Sequence, residues 1–61
     1  MCLATVYKEQ DESIIFKNVS RIDVDGATLI LTDVMGGERV FEGVIKSVDL
    51  ANSTVVLTAA S

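Results

Sequence analysis

The chain has no histidine, no proline and no tryptophan, and its single cysteine is Cys2. Without histidine there is no imidazole base, so neither a Ser–His nor a Cys–His pair can form. One cysteine cannot close a disulfide within the chain. Tyr7, Phe16 and Phe41 are the only aromatic residues. Three are too few for a base-stacking platform, and each reads as core or interface. Basic residues are scarce as well. Lys8, Lys17, Arg21, Arg39 and Lys46 stand scattered against nine acidic residues, for a net charge of −4. Affinity for nucleic acid comes mainly from clustered cations neutralising phosphates, so this balance argues against a nucleic-acid partner. No apolar run approaches the ~18–20 residues that span a bilayer. No basic segment followed by a hydrophobic stretch marks a signal peptide. An unpaired thiol without an export signal points to the reducing cytoplasm.

The remaining catalytic inventory is thin. Asp23, Asp25, Asp33, Glu38 and Asp49 fall at strand edges and turns, where solvated surface charge is the plain reading. The "GGE" stretch at Gly36–Glu38 lacks the Lys and Ser/Thr of a phosphate loop and opens a strand, not a helix. The expectation is a protein that is not an enzyme.

Hydrophobic residues make up 49% of the 61 positions. A chain this short buries only roughly 60% of the surface its unfolded form exposes, so one small domain, residues 1–61, is expected to need outside help. Disulfides being excluded, a metal or a second copy remains. Turn signals divide the sequence at "VDGAT", with Asp25-Gly26 as a hairpin turn, at the Gly36-Gly37 pair, and at Asn52-Ser53. The charged "KEQDES" reads as a solvated loop. Between these breaks, runs rich in Val, Ile, Thr and Phe predict strands at Cys2–Tyr7, Ser13–Val24, Thr28–Asp33, Arg39–Asp49 and Thr54–Thr58. The second is expected to bend near Lys17-Asn18, and Gly43 to kink the fourth. The prediction is an all-β fold, a small SH3-like, partly open barrel of five antiparallel strands. Ile22 and Val24 are expected to face inward. "ATLILT" and "TVVL" are apolar on both faces, with Ile30 and Val56 opposing their neighbours, which calls for cover on both sides. A homodimer would supply it.

Cys2 carries the functional question. A lone cysteine in a strand usually packs as a small hydrophobe. Its position offers more. The Met1 α-amine, the Cys2 amide nitrogen and the Cys2 thiolate are consecutive donors, and each neighbouring pair closes a five-membered ring around a metal. A planar set of thiolate and nitrogen donors suits Ni(II) or Cu(II), which the residues alone do not separate. Structural zinc wants four closed N/S ligands. One chain supplies too few donors, whereas a two-fold axis would place two Cys2 side chains together.

The opening "MCLA" with "VY", then "VSRIDVDGATLILTD", "GGE", "EGVIKSVDL" and the closing "TVVL", resembles the CooT family over nearly the whole chain. That resemblance implies a homodimer of SH3-like barrels that binds Ni(II) through Cys2. It also implies an accessory role in maturation of carbon monoxide dehydrogenase, the client metalloenzyme. Members of the family are also labelled predicted RNA-binding proteins, so the alternative functions are an RNA-binding barrel or a regulatory interaction module.

Overall fold

The computed structural model describes residues 3–60. They form β1 (Ala4–Lys8), β2 (Ile14–Asp25), β3 (Thr28–Asp33), β4 (Glu38–Asp49) and β5 (Thr54–Ala59). Consecutive strands pair antiparallel. The sheet then closes on itself, because β1 also pairs with β5 in parallel, from Thr5↔Thr54 to Lys8↔Leu57. The all-β, five-stranded expectation holds, and the ring is more complete than a partly open barrel. Turn chemistry reveals hairpins but carries no trace of a parallel junction between the first and last strands.

Two long strands make the ring possible. Each has 12 residues and serves two neighbours in succession. Residues Ile14–Val19 of β2 pair with β1, and Val19–Asp25 pair with β3. The bend between these halves falls at Asn18, which takes a left-handed conformation with φ of 56°, beside a shift in register. Asparagine tolerates that region better than most residues, so the expected bend near Lys17-Asn18 is present. β4 divides likewise, pairing through Glu38–Glu42 with β3 and through Gly43–Asp49 with β5. A bulge between Ile45 and Ser47 bends its second half further.

Strand alternation then builds the interior. Val6, Val19, Leu29, Leu31, Val55 and Leu57 are buried, and Ala4, Ile15, Phe16, Ile22 and Phe41 pack against them. Ile30 and Val56 are half-buried on the outer face of the single chain. Val24 departs from its expected inward burial and is 61% exposed. It pairs with Leu29 and so shares the core face, but only the Asp25↔Thr28 pair separates it from the hairpin. The core ends before reaching it. The hairpin loop is Gly26-Ala27, one residue later than expected. Of the two, Gly26 alone has positive φ, at 60°, which is the pattern of a type II′ turn.

The charged "KEQDES" stretch is exposed, as expected, but it is tied down. The Lys8 amide donates to the Ser13 carbonyl at 2.9 Å, and the Glu9 amide to the Leu57 carbonyl at 2.8 Å. The Glu9 carboxylate accepts from Thr58 Oγ1 and pairs with Lys46 Nζ, each at 2.8 Å. Asp11 accepts from both the amide and the hydroxyl of Ser13.

These contacts hold carboxylates below their ordinary titration range. Glu9 is lowered chiefly by the hydrogen bond from Lys46, and Asp11 by the Ser13 hydroxyl. Asp49 is lowered by the Asn52 side chain. A carboxylate depressed on folding stabilises the native state above its unfolded pKa, and that contribution is lost as pH falls through the folded value. Stability should therefore hold above about pH 4.5 and decline below it. Urea titrations from pH 7 to pH 2.5 should show that acid limb, and Asp49→Asn should flatten it. A limb unchanged by the substitution would detach Asp49 from it.

Candidate metal centre

The two residues predicted to hold a metal, Met1 and Cys2, lie outside the described residues. What the structure supplies is the setting of the chain that follows them. β1 is held from both sides at its start: Ala4 pairs with Val19, and the Thr5 amide donates to the Ser53 carbonyl at 3.0 Å. Leu3 and Ala4 form one wall of an open groove of about 220 Å³, completed by Val48, Leu50, Thr54 and Val55. Leu50 is 84% exposed, at the first position of the turn between β4 and β5.

Among the described residues the groove has one ionisable neighbour, Asp49, and its carboxylate is already engaged. Asp49 Oδ1 accepts from the amides of Ala51 and Asn52 at 3.0 and 3.1 Å, and Oδ2 accepts from Asn52 Nδ2 at 2.8 Å. The same device recurs at Asp33, whose Oδ1 accepts from the amides of Met35 and Gly37, each at 2.8 Å. Both aspartates that sequence reading assigned to solvated surface charge are turn caps. An apolar residue inside a turn, as in "DLANST", is the signal that could have singled out Leu50, because turn tips ordinarily carry polar residues.

No cluster of three or more Cys, Asp or Glu residues able to hold a metal occurs among the described residues. Of the described residues, no helix is long and apolar enough to cross a membrane.

The described residues form a closed five-stranded ring, which defines a small β-barrel-like protein. The family model for the CO dehydrogenase accessory protein CooT matches residues 1–58, so the chain belongs to the CooT family. That is an accessory family, not a catalytic one. The crystal structure of a protein assigned as CooT from Carboxydothermus hydrogenoformans has the same fold. Its TM-score is 0.90 at 19% identity, over 98% of this chain and 100% of that one. No curated protein sequence matches significantly.

Proposed function

We propose that this protein handles nickel for carbon monoxide dehydrogenase, binding Ni(II) as cargo and storing it or passing it on during maturation of that enzyme. Cys2 is the anchoring ligand, and the nitrogen donors of Met1 and Cys2 fill part of the metal plane. Two copies share the ion, each giving one thiolate, in the cytoplasm. The observation that carries this reading is the match to an accessory family of that enzyme over residues 1–58, a span that includes Met1 and Cys2. Donor chemistry supports it, since thiolate and nitrogen in a plane suit a late divalent ion. The thin catalytic inventory supports a carrier in place of an enzyme.

The test is uptake of Ni(II) by purified protein, followed by native mass spectrometry and by thiolate-to-nickel absorption in the near ultraviolet. One ion per two chains is expected. One ion per chain would remove the shared site, and no stoichiometric uptake would remove the nickel reading altogether.

A further inference from the structure

We propose that the outer face of the β2–β3–β4 sheet docks a cationic segment of another protein, one that sets two Lys or Arg side chains around an aliphatic one. This stands on the face alone and does not depend on the nickel reading.

Register assembles the face. Leu29 and Leu31 are buried and Phe41 packs against the core, so the residues that alternate with them lie on the outside. Three cross-strand rows result: Asp25–Thr28–Glu42, Asp23–Ile30–Val40 and Arg21–Thr32–Glu38. The middle row is apolar on two of its three strands. Ile30 is half-buried there, and Val40 beside it is 61% exposed. Val44, 55% exposed, continues the apolar strip along β4 beyond Glu42. Contiguous apolar surface left open on a sheet face, with a polar rim, marks a place where a partner sits.

Carboxylates form that rim. Arg21 is the one cation in the three rows, and it is spent on Asp23 at 2.9 Å. Among the described residues Asp25, Glu38 and Glu42 have no ion pair. Glu42 accepts from the Thr28 hydroxyl at 3.1 Å, which leaves its charge in place.

This charge selects the occupant. Nucleic acid and anionic lipid are repelled. A second copy is repelled as well, because a two-fold contact would press Glu38 and Glu42 against their own mates. A metal ion does not match either, since among the described residues no three acidic side chains converge to hold one. A cationic protein surface is complementary. Glu38 and Glu42 stand four residues apart on β4, roughly 13 Å, with Val40 midway. An extended segment with Lys or Arg at i and i+4 and an aliphatic residue at i+2 has the same spacing on its own face.

NMR titration of ¹⁵N-labelled protein at low salt tests this with two end-capped peptides, GSKSLSKSG and GSKSSSKSG, which carry the same charge. The leucine peptide should shift the amides of residues 21–25, 28–32 and 38–44, with a dissociation constant on the order of 1 mM. The serine peptide should bind about 5-fold or more weakly, for want of the aliphatic anchor. Glu38→Gln combined with Glu42→Gln should weaken the leucine peptide by about 3-fold or more, through loss of two exposed ion pairs. Asp11→Asn combined with Glu12→Gln removes equal charge outside the face and should leave the affinity unchanged. Dispersed amide spectra of each chain report that it is folded. Equal affinity for the two peptides, or equal loss in the two double variants, would reduce the contact to unspecific charge and overturn the proposal. Shifts centred on other strands, or none at about 5 mM peptide, would overturn it too.

Discussion

Cys2→Ser should abolish specific nickel uptake while leaving the barrel folded. The substitution exchanges a soft sulfur donor for a hard hydroxyl of similar size, and late divalent ions discriminate strongly between the two. Losing even a supporting group around a metal costs about 10- to 100-fold in affinity. Losing the anchoring ligand should cost at least about 100-fold, with complete loss of the thiolate-to-nickel absorption band. The fold should survive, because β1 begins at Ala4 and the buried cluster starts at Val6. A second chain sharpens the test. Extending the protein by two residues before Met1 removes the α-amine as a neighbouring donor but keeps the thiol and the Cys2 amide, so nickel affinity should fall to an intermediate value. If Cys2 is instead a packed hydrophobe, the pattern inverts. Cys2→Ser would then lower the unfolding midpoint, and nickel would have no effect on the wild-type chain.

The two outcomes separate cleanly because Cys2 precedes β1 and the segments that build the core. Strand positions were legible from composition. Val, Ile and Thr runs broken by Gly26, by Gly36-Gly37 and by Asn52-Ser53 gave all five strands to within two residues at either end. The bend in β2 was legible because Asn18 interrupts the alternation and also tolerates positive φ. Closure of the ring was not legible. Parallel pairing of β1 with β5 joins residues about fifty positions apart and leaves no turn signal between them. The expectation about faces departs at Val24, which is exposed although its alternation is regular, while Ile30 and Val56 stand half-buried on the outer face. Period-2 patterning tells which side of a sheet a residue occupies, but not how far the core extends along the strand.

Of the candidate site, only the proposed ligand stood out in the sequence. Cys2 stands out by count alone, as the one soft donor in a chain without histidine. The apolar setting just after it is assembled from Leu3 and Ala4 on β1 and from Val48 to Val55 across a turn, residues brought together by the same unforeseen junction. A groove built from both ends of a chain cannot be read along the sequence. The engaged carboxylate of Asp49 was hidden for a different reason. An aspartate that caps its own turn has the same composition signature as one that faces solvent.

Gly43→Ala should be the most damaging single methyl addition in the protein. Gly43 is buried at the point where β4 leaves β3 and begins to pair with β5. A Cβ placed there would overlap the Thr58 carbonyl oxygen and would lie 3.1 Å from the Thr58 carbonyl carbon and 2.8 Å from Phe41 Cε2. Neither side can yield cheaply. The Thr58 carbonyl belongs to the backbone of β5, and the Phe41 ring packs against the core. The Gly43 amide meanwhile donates to the Ala27 carbonyl at 2.7 Å, so moving β4 away would strain the hairpin between β2 and β3 as well. Overpacking a well-filled site typically costs about 1–3 kcal/mol, and more where backbone must shift. A domain of this size has only about 3–9 kcal/mol of stability in total. Gly43→Ala should therefore lose at least about 3 kcal/mol in urea unfolding and populate the unfolded state at 37 °C. Gly26→Ala provides the contrast. Its φ of 60° strains an alanine, but nothing lies within 4 Å of the added carbon. That substitution should cost only about 1–2 kcal/mol. Equal midpoints for the two variants would mean that β4 and β5 do not approach this closely at Gly43, and that the ring is braced elsewhere.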